Sequence, residues 1–222
     1  MRAVAAEFLA TCLLLAIVTG SGVMGQRLAG GNAAIALLAN SLATGAGLCA
    51  LILVFGPVSG AHMNPAVTFA ETRLGKLTWR TAGQRVVAQC AGAFAGVALA
   101  HAMFELPLFA ASPTVRNGLG RVLGEFTATY ALLLVVLGCS RTRPAVTPFA
   151  VAAIVTAGYW FTSSTSFANP AVTLARMATD TFVGIRAADV PAFVLAQGLG
   201  AIAALATFRH VLHPAENERC RP

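Results

Sequence analysis

The pentapeptide Asn-Pro-Ala-Val-Thr occurs twice in this chain, at residues 64–68 within SGAHMNPAVTFAETR and at residues 169–173 within SFANPAVTLAR. Asparagine is a strong helix N-cap, and proline fits the first helical position, where a missing N–H costs nothing. Each copy therefore predicts a helix beginning at Pro65 or Pro170. From Asn64 to Arg73 that helix has about ten residues and a length of ~15 Å, half of a ~30 Å hydrocarbon core. Two such half-helices meeting tip to tip would cross a bilayer.

The surrounding sequence agrees. Hydrophobic residues make up 57% of the chain, charged residues only 10%, and the mean hydropathy is +0.76, which excludes an ordinary soluble domain. Apolar stretches at residues 3–24, 33–55, 81–104, 119–139, 147–162 and 190–212 each approach the ~20 residues that a spanning helix needs. The first is too long for the core of a cleaved leader and contains Glu7, so it counts as a retained span. The net charge of +7 is scattered among short loops and forms no basic stripe, which argues against nucleic acid as a partner. With the N-terminus inside, ten Lys and Arg residues fall on the cytoplasmic side and five (Arg27, Arg116, Arg121, Arg176 and Arg186) outside, so both termini are expected in the cytoplasm.

A second level of repetition sets the topology. Glu7-Phe8 and Glu125-Phe126 share their setting, as do Gln89 to Ala93 and Gln197 to Ala201, with one Asn-Pro-Ala-Val-Thr copy between the landmarks in each half. Three spans per half force the second half to enter from the opposite side, giving an inverted repeat whose shared site lies near the midplane. The expected organisation is a single channel domain over residues 1–212, with halves at 1–105 and 119–212, and a short polar cytoplasmic tail at 213–222. Residues 56–64 would dip in from the cytoplasm and residues 162–169 from outside. Non-helical backbone at that depth survives only where protein or a water-filled path satisfies it. The two facing N-termini, each with roughly half a positive charge, would oppose cations.

On these motifs the chain resembles the major intrinsic proteins, the aquaporins and aquaglyceroporins, along essentially its whole length. The resemblance implies an all-α membrane fold of six transmembrane helices plus two re-entrant half-helices. It also implies a homotetramer in the cell membrane, a bacterial inner membrane by the branch it resembles, and a passive channel that is neither an enzyme nor dependent on a cofactor or metal. Asn64, Pro65, Ala66, Asn169, Pro170 and Ala171 would form the pore centre. In most of the family arginine follows the second Asn-Pro-Ala and narrows the outer mouth; here Val172 stands there, with Arg176 one turn farther out. Ungapped carry-over puts the other filter positions at Thr44, Ala157 and Ser166, which with Val172 make a wide, bare and uncharged constriction. The expected solutes are glycerol-like polyols, metalloid hydroxides such as arsenite, methylated arsenicals and water. The arginine-free mouth resembles a bacterial branch associated with arsenical permeation.

Several residues leave two readings open. Glu7 and Glu125 lie inside spans, where carboxylates mark ion or proton pathways; by resemblance they instead brace the re-entrant loops. The first reading is a proton-coupled secondary transporter, the second a channel. His62 would face the cytoplasmic vestibule, as a pH gate or as a neutral lining residue. Gly92, Gly96, Gly200 and Ala204 form small-xxx-small patterns suited to oligomer contacts or to packing within one bundle, the second being favoured. Cys12, Cys49, Cys90 and Cys139 read as small apolar residues rather than metalloid ligands, there being no metal-ligand spacing. His101, His210 and His213 have no convergent carboxylate or nucleophile pattern, and H-E-x-x-H is absent.

Overall fold

The computed structural model describes residues 1–212; the expected tail at 213–222 lies outside the described residues. The chain folds as α1 (Arg2–Leu28), α2 (Ala33–Ser59), α3 (Pro65–Arg73), α4 (Trp79–Met103), α5 (Leu119–Thr142), α6 (Thr147–Phe161), α7 (Pro170–Arg176) and α8 (Val190–Thr207), with no strand among the described residues. Short 3-10 turns precede α6 and α8, and a π-helical turn, Phe208–Leu212, continues α8. Six of these segments are long and apolar enough to cross a membrane. The short helices α3 and α7 are not.

Helix boundaries follow local chemistry. Asn32 caps α2 by accepting from the N–H groups of Ala34 and Ile35, and Thr78 caps α4 through Thr81. The second span outruns its hydropathy: α2 passes through Gly56 and Pro57 to Ser59, where Gly60 closes it at φ +87°. Pro57 cannot donate to the carbonyl of Leu53, which weakens the last turn just before the helix stops, and the left-handed C-cap favours glycine. The re-entrant segment expected from residue 56 therefore begins at Gly60.

The packing repeats between halves. Helix α1 packs on α4 and α2 just as α5 packs on α8 and α6, while α4 meets α7 as α8 meets α3. The pairs α2–α6 and α3–α7 join the two halves. This is the pairing that an inverted repeat demands.

Glycine permits the tight pairs within each half. A Cβ at Gly92 would run into the Phe8 carbonyl, and one at Gly96 into the Cys12 carbonyl, with Leu15 Cβ 2.8 Å away. In the other half a Cβ at Gly200 would meet the Phe126 carbonyl at 2.5 Å. These small residues thus face the neighbouring helix of the same bundle, where backbones approach closely. Elsewhere Leu9, Leu38, Leu42, Leu99, Leu123 and Leu199 lie exposed on the outer surface of the bundle, as lipid contact requires.

Gly96→Val should lower the thermal unfolding midpoint in detergent, at a cost of about 1–3 kcal/mol or more for overpacking. Gly83→Ala, where an added Cβ meets nothing, should leave the midpoint unchanged.

Candidate functional site: a pore through the helix junction

The two re-entrant loops share one backbone plan. In each, the residues three and one before the asparagine have positive φ: Ala61 (+48°) and Met63 (+50°), then Ser166 (+50°) and Ala168 (+47°). L-residues adopt such angles only where surroundings enforce them. A buried carboxylate does so in each half. Glu7 accepts from the N–H groups of His62 (3.0 Å) and Met63 (2.8 Å), from Ser59 Oγ (2.6 Å) and from Gln89 Nε2 (2.7 Å). Glu125 accepts from the N–H groups of Phe167 (2.8 Å) and Ala168 (2.9 Å) and from Gln197 Nε2 (2.6 Å).

Gln89 and Gln197 link each carboxylate to its half-helix, donating also to Thr68 Oγ1 (2.9 Å) and Thr173 Oγ1 (2.8 Å). Ser59 and Ser164, five residues before the respective asparagines, accept from the N–H groups of Ala61 and Ser166. Sequence reasoning used the glutamines as landmarks and missed their role and that of the serines. The signal was present: each pair sits at a matched place in the two halves.

At the centre, Asn64 Oδ1 accepts from the Ala66 N–H and Asn169 Oδ1 from those of Ala171 and Val172, capping α3 and α7. Their amide nitrogens cross over. Asn64 Nδ2 donates to the Ala168 carbonyl and Asn169 Nδ2 to the Met63 carbonyl, both at 2.7 Å. One N–H of each amide remains for the pore.

A continuous cavity of about 280 Å³ runs past this junction. On one side lie Gly60, Ala61, His62, Ser166 and Phe167, whose carbonyls accept no hydrogen bond from the described residues. The opposite wall is aliphatic, with Leu14, Val18, Leu48, Leu132, Val151 and Val155. One end holds Glu71 and Lys76, ion-paired at 2.8 Å, on the face that carries Met1. The other holds Tyr159, Val172 and Arg176.

The expected site residues are placed as follows. Asn64, Asn169, Thr44, Ser166, Val172 and His62 all line the cavity. Pro65, Ala66, Pro170 and Ala171 do not; they form the half-helix tips behind the asparagines. Ala157 is a correction: it is exposed on the outside of α6, and the buried Tyr159 lines the pore from that helix. Two positions along a helix are about 200° around its axis, so Ala157 and Tyr159 face opposite sides of α6. Tyr159 Oη lies 3.1 Å from Thr44 Oγ1, which holds the ring along the wall.

The mouth is also not bare. Arg176 is four residues beyond Val172, hence on the same helix face one turn outward, and lines the cavity at 2% exposure. Its Nε donates to the Val183 carbonyl, and its guanidinium carbon lies 3.3 Å from the Phe167 ring centroid. Arg116 approaches the same ring at 5.0 Å and donates to the carbonyls of Gly184 and Phe182. Burial, and then the neighbouring Arg121, push the Arg116 guanidinium down to about 10, so it remains charged at neutral pH.

The two histidines inside the bundle have local partners. His62 Nδ1 lies 3.0 Å from Thr68 Oγ1, while His101 bridges Pro107 and Thr179 and ties α4 to the loops beyond it. Cys12, Cys49, Cys90 and Cys139 are free and half-buried, and none lines the cavity. No cluster able to hold a metal exists among the described residues.

Removing either carboxylate orphans two buried backbone donors, at about 1–3 kcal/mol each. Glu125→Ala should therefore lower the unfolding midpoint in detergent by several degrees, measured by the loss of helical signal on heating. Glu125→Gln should be milder, and its solute flux should stay insensitive to an imposed pH gradient; a flux coupled to protons in the parent channel and lost in this variant would contradict the bracing role.

Comparison with known proteins places this pore. The major intrinsic protein family matches residues 1–163. The chain is 50% identical over 214 residues to aquaglyceroporin AqpS of Rhizobium meliloti, covering 96% of this chain and 91% of that protein. It is 33% identical over 149 residues to aquaporin PIP2-7 of Arabidopsis thaliana, covering 64% of this chain and 52% of that one. The fold superposes on the X-ray structure of the aquaglyceroporin from Plasmodium falciparum with a TM-score of 0.74, at 21% identity and over 95% of this chain and 96% of that one. With its paired half-helices, braced loops and continuous cavity, the chain belongs to the major intrinsic protein family.

Proposed function

We propose that the protein is a passive channel for water, glycerol-like polyols and small uncharged metalloid hydroxides such as arsenite, with methylated arsenicals as larger candidates. The observation that carries this reading is the two-sided lining. Unpaired carbonyls and the Asn64 and Asn169 amides exchange hydrogen bonds with hydroxyl groups along one side, and the aliphatic wall accepts a carbon backbone or a bare flank on the other. Val172, where most of the family has arginine, leaves room beside Thr44 and Ser166. Tyr159 takes back part of that room, so the filter is asymmetric rather than open on every side.

A proton-coupled transporter is disfavoured. Glu7 and Glu125 are fully buried behind the loops and occupied by donors from backbone, serine and glutamine. Neither lines the cavity. The apolar surface fits a bilayer, and the excess of Lys and Arg at the Met1 face fits cytoplasmic termini in a bacterial inner membrane. A homotetramer is carried over from the family and tested by native mass spectrometry of the detergent-solubilised protein.

Stopped-flow swelling of proteoliposomes with glycerol, arsenite and a methylated arsenical tests the solute range. Val172→Arg should reduce glycerol flux about tenfold or more while water flux falls less, because a guanidinium at 172 fills the space beside Ser166. Unchanged glycerol flux in that variant would remove the wide filter. Glycerol flux between pH 5.5 and 8 should vary by less than about twofold, His62 being a lining residue with no carboxylate hydrogen-bonded to its ring.

A further inference from the structure

Val172 and Arg176 line the cavity one helical turn apart on α7. We infer that Arg176 is the charge-selecting residue of the outer mouth, excluding small cations one helical turn outside the constriction that Val172 shapes. The inference rests on the pore axis of the channel reading, not on which neutral solutes pass.

The environment of Arg176 supports the role. The side chain is buried and its Nε is tied to Val183, yet its two Nη nitrogens donate to none of the described residues. No carboxylate pairs with it; the ion pairs among the described residues are Lys76–Glu71 and Arg186–Asp189. Glu125 acts on Arg176 only at a distance, its carboxylate being held by the Phe167 and Ala168 N–H groups and Gln197, and Asp189 accepts from Arg186 and from the Arg116 backbone. A guanidinium without a counter-ion is costly to bury unless water or solute hydrates it, and here the cavity itself supplies that side. The positive charge is therefore projected into the pore. Arg116, across the Phe167 ring, adds charge of the same sign.

The polarity of α7 makes this necessary. Its N-terminus is at the pore centre, so its C-terminal end, with the negative pole of its dipole, points to the outer mouth. The Phe182, Val183 and Gly184 carbonyls lie at the same mouth. Oxygen dipoles alone would attract a cation. Arg176, the last residue of α7, reverses the sign there. The packing on Phe167 and the bond to Val183 hold the guanidinium against the wall, so charge is delivered without filling the lumen.

The test compares potassium and methylammonium flux with glycerol flux in proteoliposomes of the full chain. The parent channel should pass the two cations no faster than protein-free vesicles. Arg176→Gln should raise the cation-to-glycerol ratio about tenfold or more, since an unpaired unit charge acts strongly in a medium of low effective dielectric. Arg176→Lys, which keeps charge but loses the planar stacking and the Nε bond, should return the ratio to within about threefold of the parent. Cation flux above background in the parent, or a leak in the lysine variant equal to that of the glutamine variant, overturns the assignment. Should Arg176→Gln not fold, Arg176→Met, which keeps the aliphatic stem without the charge, is measured in the same way; a raised cation ratio there supports the assignment and a ratio equal to the parent's overturns it. Absence of glycerol or arsenite flux in the parent would count against the proposed solutes, while cation flux in Arg176→Gln relative to protein-free vesicles still tests Arg176: a leak supports the assignment and background flux overturns it.

Discussion

Two carboxylates buried in the middle of the bundle make the rest of the structure possible. A backbone that abandons helical geometry at mid-membrane depth must find acceptors for its N–H groups without water. Glu7 and Glu125 provide them, and they do so from rigid helices, α1 and α5. Holding the N–H groups on the protein side leaves the intervening carbonyls on the other, which is the cavity. The same contact therefore supports the loop and gives the pore its row of acceptors. It also explains residues of positive φ that no glycine occupies: alternation of backbone direction is enforced by the carboxylate and stabilised by the crossing asparagine bonds.

The pore is polar on one side and aliphatic on the other because it lies between unlike elements. Loops supply the first face and helices α1, α2, α5 and α6 the second. Its ends differ as well. At the Met1 face Lys76 is neutralised by Glu71, whereas at the far mouth the guanidinium groups of Arg176 and Arg116 have no carboxylate partner and lie among carbonyls, the Thr165 hydroxyl and an aromatic ring. The repeat that shapes the scaffold is thus not a repeat of charge.

Much of this was legible in the sequence, for physical reasons. Asn-Pro at a helix start is a local signal, and six apolar stretches with matched landmarks leave little freedom in topology. What lay beyond reach depended on loop geometry. Ala157 was expected in the filter because the span-five position was counted back from Asn169 without knowing how the loop bends; Tyr159 occupies the lining instead. Ser59, Ser164, Gln89 and Gln197 carry ordinary identities and gain meaning only through partners distant in sequence. Arg176 was an avoidable miss. The i, i+4 spacing from Val172 already puts both side chains on one face, so the place of Arg176 at the mouth is legible from spacing alone.

The crossed asparagine bonds carry a consequence for assembly. Asn64 reaches an acceptor 104 positions later in the chain, and Asn169 returns to one 106 positions earlier. During synthesis the first re-entrant loop is thus built long before the residue that completes it exists. Its own half provides the Glu7 anchor, but the final lock arrives only with the last third of the polypeptide. A nascent chain halted after α4 would hold a tethered yet unlatched loop in the bilayer, and a truncated half could close it only by borrowing the missing carbonyl from another molecule.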